Sequence, residues 1–237
     1  NYFKEEKKEF ENLKFGQIKF DEINNIVLEN LSYQYPNSKK NTLNNINFVF
    51  KKGKISGIFG KSGSGKSTLI NLLTGIINTD DNCIKLNNDY IFNSVDIKNF
   101  RKKIGYVSQQ TFILDEDIKK NIAFGVDEQD IDILKVEECI KKAELKDKDG
   151  NLLNLEIKTG QKGSLLSVGQ QQRVGIARAL YFKPDILIMD EPTSSLDKDT
   201  GLRIINTFTK LKHSVITIIV THDKSLINNF DNILELK

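Results

Sequence analysis

Apolar and polar positions alternate in three different ways along this chain. In the first third, short apolar runs at residues 26–31, 46–50 and 54–59 read as strands, with a turn-rich gap at Pro36, Asn37 and Ser38 between the first two. The third run ends in a glycine-rich turn, and a helical pattern starts near Lys66. Another small strand is predicted over residues 104–107. Residues 112–145 then carry helical spacing, with Ile131, Leu134, Cys139 and Ile140 as its apolar positions. The last third alternates regularly: a helix over 166–182, a strand over 186–190, a helix over 198–211, a strand over 215–221, a helix and a final strand. Ile186-Leu187-Ile188-Met189 and Val215-Ile216-Thr217-Ile218-Ile219-Val220 are nearly uninterrupted apolar runs. Strands buried on both faces have this composition and belong to parallel sheets covered by helices, so an α/β fold is expected.

Residues 1–22 stand apart. The stretch Phe3-Lys4-Glu5-Glu6-Lys7-Lys8-Glu9-Phe10 mixes charges around sparse apolar anchors, as a linker or a short solvated helix does. The chain opens on Asn1 without a signal-peptide pattern and is expected to be a piece of a longer one.

Composition narrows the options. At 237 residues with 28% charged and 38% hydrophobic positions, the chain has the balance of a globular domain rather than a disordered one. The net charge of +3 comes from scattered lysines and does not indicate nucleic acid as a partner. Cys83 and Cys139 form neither a disulfide framework nor a zinc spacing. No apolar run approaches the ~18 residues that span a bilayer.

Gly60-Lys61-Ser62-Gly63-Ser64-Gly65-Lys66-Ser67 fits G-x-x-x-x-G-K-[ST], between a strand and a helix. Glycines let the backbone curl around phosphate so that successive N–H groups point inward, and the helix adds its positive end. Lys66 supplies a point charge to the β- and γ-phosphates, and the Ser67 hydroxyl suits Mg²⁺. Gly60, Ser62, Gly63, Ser64, Gly65, Lys66, Ser67 and Thr68 are the candidate nucleotide ligands of this segment. Downstream, Asp190-Glu191 closes an apolar strand. Asp190 is a candidate for holding Mg²⁺ through water, and Glu191 for the general base toward the attacking water. An acidic pair at a strand end can also simply cap the next element.

Leu166-Ser167-Val168-Gly169-Gln170, followed by Gln171-Gln172-Arg173-Val174, resembles the signature motif of ATP-binding cassette (ABC) proteins, and the resemblance runs from about residue 25 to the end. Ser167 with Gln170 three residues on is also a capping box, so a helix starts here with N–H groups facing forward. The family resemblance implies a P-loop NTPase core with a mostly parallel sheet flanked by helices, an N-terminal antiparallel β part and an inserted helical subdomain at about residues 110–182. It also implies a head-to-tail dimer in which each ATP lies between one copy's cradle and the other's signature, here Ser167, Gly169 and Gln170. By the same resemblance Tyr35 stacks on adenine, with Tyr33 as the core tyrosine. Gln109 senses Mg²⁺ and the γ-phosphate, with Gln110 as the competing assignment. Asp197, in Ser194-Ser195-Leu196-Asp197, crosses the dimer interface or caps the next helix. His222 contacts the γ-phosphate and joins Glu191 and Lys66 as a catalytic candidate; Ser67, Gln109 and Asp190 are the metal candidates. Arginine is rare, and Arg173 and Arg178 both fall on the signature helix. Arg173 is expected to brace this segment by hydrogen bonds, the alternative being a solvated face.

Thr159-Gly160-Gln161-Lys162-Gly163-Ser164-Leu165 resembles the exporter-type loop that touches the intracellular loops of a membrane domain, with Gln161 and Lys162 where Glu and Arg are usual. Asp117-Ile118-Lys119-Lys120-Asn121-Ile122 resembles another exporter segment; with Phe112, Ile113 and Leu114 it would line a groove for a coupling helix, unless it is ordinary core. The resemblance thus implies an ATPase of an exporter or flippase, at the cytoplasmic face of a membrane, with residues 1–22 as linker and 23–237 as the ATPase domain. ATP and Mg²⁺ are the implied cofactors, and a second ATPase domain and a transmembrane domain the implied partners. The alternatives are a soluble ABC ATPase, for which a coiled-coil insertion is missing between Lys66 and Ser167, an importer subunit, and a non-catalytic nucleotide-gated module, against which Glu191 and His222 speak.

Overall fold

The computed structural model describes residues 18–19, 21–36, 38–79, 82–193, 196 and 198–237. Two sheets organise them. The first is antiparallel, in the order β2-β1-β4-β5, from β1 (Asn25–Tyr33), β2 (Leu43–Lys51), β4 (Ile84–Leu86) and β5 (Tyr90–Ile91). Strands β1 and β2 are each longer than the apolar runs predict. Their ladder shifts register between Leu28 and Leu31 and again before Tyr33, and Asn30 (φ 51°) and Asn45 (φ 48°) take left-handed backbone. Asparagine tolerates that conformation, and the irregularities keep Leu31 and Leu43 facing the core although polar residues interrupt the alternation.

The second sheet is entirely parallel, in the order β6-β7-β8-β3-β9. Its strands are β3 (Ile55–Gly60), β6 (Ile104–Val107), β7 (Ile186–Asp190), β8 (Ile216–Thr221) and β9 (Asn232–Leu236). The apolar runs of β7 and β8 divide between two cores by alternation. Ile186, Ile188, Ile216, Ile218 and Val220 pack with Leu69 and Leu72 of α1 (Lys66–Leu73) and with Leu28 and Phe50 of the antiparallel sheet. Leu187, Met189 and Ile219 pack on the other face with Val174 and Ala177 of α5 (Val168–Tyr181) and with Ile204 and Phe208 of α6 (Lys198–Leu211). Both faces are covered, which is why the two runs are apolar apart from the buried Thr217.

Between the sheets' contributions lie three shorter helices: α2 (Ile97–Lys102), α3 (Ile118–Ile122) and α4 (Ile133–Lys142). The helical spacing over 112–145 is therefore not one helix. Gly125 (φ 82°) and a 3₁₀ turn at Glu128–Asp130 separate α3 from α4, and the N-caps Asp117 and Asp132 start each anew by accepting from the N–H groups of Lys120 and Lys135. Leu134 is 78% exposed, whereas Val136, Cys139 and Ile140 form the buried face. The helix expected after β8 is a 3₁₀ segment, Lys224–Asn229, capped by Asp223; its Asn228-Asn229 end disfavours an α-helix.

Candidate functional site

Parallel pairing brings the carboxyl ends of neighbouring strands to one edge, where open α/β sheets place their ligand crevices. Register aligns Phe59 of β3 with Thr221 of β8, Asp190 of β7 with Val220 of β8, and Val107 of β6 with Met189 of β7. The residues just beyond these ends, Gly60, His222, Glu191 and Gln109, therefore converge. They line one cleft of about 780 Å³, together with Lys61, Ser62, Lys66 and Lys224.

The cradle loop is shaped by its glycines. Gly63 (φ 82°) and Gly65 (φ 94°) hold left-handed backbone, and a side chain on Gly65 would meet Leu43 at 2.8 Å. Gly65 is also the N-cap of α1 and offers no side-chain cap, so the first N–H groups of that helix are left for another acceptor. The Lys66 ammonium lies over the loop, donating to the carbonyls of Gly60 (2.7 Å) and Lys61 (2.9 Å). Ser64 Oγ is buried without a hydrogen-bond partner among the described residues. Ser67 is exposed on the first turn of α1, while Thr68 is buried and its Oγ1 lies 3.2 Å from the Tyr35 hydroxyl. Tyr35, 38% exposed, thus flanks the cradle; it meets Tyr33 edge to face at 5.1 Å. Uncapped donors, a left-handed loop and a cation over it are what a polyphosphate chain requires.

On the opposite wall, Glu191 Oε1 and His222 Nδ1 lie 2.8 Å apart. The Glu191 side chain is 13% exposed and that of His222 64%, so the imidazole reaches outward over a sheltered carboxylate. Glu191 has φ 49°, a strained value for a non-glycine residue, and its N–H is tied to the Val220 carbonyl. Asp190 is half-buried behind it. Burial, and then the nearby Glu191 charge, raises its carboxyl above the usual range against the pull of the Tyr106 hydroxyl and Lys66. Tyr106 donates to Asp190 Oδ2 at 3.1 Å, and burial followed by the Asp190 charge pushes the phenol up to about 12. Ser67, Gln109 and Asp190 together offer hydroxyl, amide and carboxylate oxygens, the donor chemistry of Mg²⁺. Among the described residues no group of three or more His, Cys, Asp or Glu could hold a metal by itself.

The remaining predicted residues lie elsewhere. Ser167 is the N-cap of α5: its Oγ accepts from the Gln170 N–H at 3.2 Å, and Gln170 Oε1 accepts from the Ser167 N–H at 2.9 Å. Neither of these residues nor Gly169 lines the cleft. Asp197, with Ser194 and Ser195, lies outside the described residues. Gln110 borders a second groove of about 450 Å³, formed with Phe112, Ile113, Lys162 and Val168, which Gln109 lines as well as the cleft. Leu114 does not line that groove; both its backbone groups are held by the Asn121 side chain. Thr159 Oγ1 donates to the Leu114 carbonyl at 2.6 Å, tying the loop before α5 to the segment before α3. Arg173 is buried, its Nη1 donating to the Ala143 carbonyl at 2.7 Å and to Thr207 Oγ1 at 3.3 Å, so it braces α5 rather than facing solvent. Arg178 likewise donates to the carbonyls of Asn121 (2.7 Å) and Phe112 (2.8 Å).

Sequence reasoning missed Tyr106 and Lys224. Strand alternation places Tyr106 opposite the buried Gly105 and Val107, but nothing in the sequence names Asp190 as its partner. Lys224 follows His222 closely and lies over the Phe59 ring at 6.0 Å, a contact only β3–β8 pairing creates.

Comparison with known proteins agrees with this geometry. A family profile described as ABC transporter matches residues 43–194. The chain is 36% identical over 210 residues to a protein named ATP-dependent lipid A-core flippase from Saccharophagus degradans, covering 88% of this chain and 35% of that protein. It is 36% identical over 215 residues to a Bacillus subtilis protein named "Probable multidrug resistance ABC transporter ATP-binding/permease protein YheI", covering 90% of this chain and 36% of that one. The chain thus spans little more than a third of these curated relatives. A solved bacterial Atm1-family ABC exporter with ATP bound superposes with a TM-score of 0.76 at 27% identity, over 94% of this chain and 38% of that one. Among the described residues no helix is long and apolar enough to cross a membrane.

Proposed function

The chain belongs to the ABC transporter family as a nucleotide-binding domain with the P-loop NTPase fold, and on that premise we propose that it is the ATP-hydrolysing motor of an exporter or flippase. The observation that carries the reading is the Glu191–His222 pair, 2.8 Å apart, facing the Lys66 cradle across one cleft. In this reading water attacks the γ-phosphorus, the bond from that phosphorus to the β–γ bridging oxygen breaks, and Glu191 takes the water proton. An ionised Glu191 makes His222 Nδ1 the donor of their hydrogen bond, which orients the carboxylate toward the cleft. Lys66 and the N-terminus of α1 hold the triphosphate, Tyr35 packs on the base, and Gln109 reports on the γ-phosphate. Mg²⁺, when bound at Ser67, Asp190 and Gln109, neutralises phosphate charge.

A second ABC ATPase domain, identical or not, completes each site with Ser167, Gly169, Gln170 and Asp197, and two ATP molecules close the pair head to tail. The relatives' names and the exporter-like loop at 159–165 support the exporter branch. So does the groove beside Phe112, which is 64% exposed, as a seat for a coupling helix of a transmembrane domain. In this reading the domain works at the cytoplasmic face of a membrane.

Replacing Glu191 by Gln tests the reading. Glu191→Gln should bind ATP normally, hydrolyse it ~10²–10⁴-fold more slowly, and accumulate as a dimer in ATP–Mg²⁺ by size exclusion with light scattering. Turnover at the parental rate removes Glu191 as the base.

A further inference from the structure

Asp190, which precedes the cleft residue Glu191, is held by a hydrogen bond from a tyrosine. Tyr106 reaches from the edge strand β6 across to β7 and donates to Asp190 Oδ2 at 3.1 Å. The backbone makes this reach reproducible. Tyr106 is in register with Ile188 on the adjacent parallel strand, with Asp190 two residues further on, on the same face. Its strand neighbours Gly105 and Val107 are buried on the other side, so the ring stays outward, 45% exposed, with its hydroxyl over the carboxylate. Asp190 itself is partly buried, and the phenol is an uncharged partner beside the charges of Glu191 and Lys66.

We propose that Tyr106 is a positioning residue for the cation site: by occupying Oδ2 it fixes the plane of the Asp190 carboxylate and leaves Oδ1 for a cation-bound water. This rests on the ATPase reading and adds to it a residue that touches neither nucleotide nor metal. The physical cause is ordinary. A carboxylate turning about its terminal bond presents its oxygens in many directions, and an outer hydrogen bond selects one. A neutral phenol does this without adding charge, so the carboxylate keeps its full attraction for the metal.

The test is a Mn²⁺ titration of this chain, followed by electron paramagnetic resonance, with a non-hydrolysable ATP analogue present. Tyr106→Phe keeps the ring and removes only the hydroxyl. It should weaken Mn²⁺ binding about tenfold, near the lower end for outer-shell partners because the tyrosine is half exposed. Affinity for the analogue in EDTA should not change. Steady-state assays should show the same shift in the Mg²⁺ concentration for half-maximal ATPase, with kcat at saturating Mg²⁺ within about twofold of the parent. Tyr106→Leu should weaken Mn²⁺ to the same degree while also losing thermal stability, since it loses packing as well. Unchanged Mn²⁺ affinity in Tyr106→Phe overturns the assignment, and so does a graded loss in which Phe is mild and Leu severe, the pattern of a packing role. A parent chain that binds the analogue without any response to the metal overturns the cation site altogether, and a parent that binds no nucleotide overturns the ATPase reading.

Discussion

Two helix N-termini in this protein are built in opposite ways. Helix α1 begins at Gly65, in left-handed backbone, with no side chain satisfying its first N–H groups. Helix α5 begins at Ser167 and closes a reciprocal capping box with Gln170. At α1 the donors are exposed to whatever lies in the cleft, and Glu191, His222 and Gln109 gather around them and Lys66 from beyond the ends of three adjacent strands. At α5 two of the donors are already taken by the helix's own residues, and the surroundings are solvent, with Leu165 and Val168 exposed. The first gathers most of the proposed nucleotide site within one chain. The second is a partial one: a helix dipole, a glycine and a serine, which in the proposed assembly face a partner's nucleotide rather than their own.

That contrast is easily broken by experiment. The largest effect is expected at the cleft. Lys66→Ala removes the charge at the phosphates and should cost ~10–100-fold in ATP affinity, measured by fluorescence titration, with the fold intact. Unchanged binding would mean that the cradle is not where nucleotide sits. Next comes the brace beneath α5. Arg173→Ala leaves the buried Ala143 carbonyl without its donor and should cost about 2 kcal/mol of stability, seen as a fall of roughly 4–8 °C in Tm, while ATP affinity of the folded domain stays at the parental value. A cleft affinity that falls along with Tm would show that the two regions are not separable. The smallest effect is at the cap. Ser167→Ala should lose about 1 kcal/mol of helix stability and leave nucleotide binding by the single domain unchanged. ATP-driven dimerisation in a Glu191→Gln background should weaken; if sedimentation shows the dimer unaffected, the α5 terminus is not part of a composite site.

The same contrast explains how much could be read in advance. The cap of α5 is local: Ser167 and Gln170 are three residues apart, so the capping box is visible as text and appears in the structure as expected. The cradle is equally local, because a loop of glycines between strand and helix carries its geometry in its own sequence. The 112–145 region keeps its helical periodicity through Gly125 and the 3₁₀ turn at Glu128–Asp130, so spacing alone does not separate α3 from α4. The caps Asp117 and Asp132 were the available signal, each three residues ahead of the N–H it satisfies. Strands β1 and β2 extend beyond their apolar runs because Ser32, Asn44 and Asn45 break the alternation near the points where the ladder slips.

What the amino-acid order determined by itself, then, are the pieces whose forces act within a few residues: the phosphate loop, the capped signature helix, and the doubly buried strands whose unbroken apolar runs demand cover on both faces. What only the tertiary structure decided is which strand lies beside which. The order β6-β7-β8-β3 sets Glu191 against His222, Gln109 near Lys66, and Tyr106 against Asp190. Strand order follows from which buried faces fit together once both cores form, a long-range balance of burial that no short window of sequence contains.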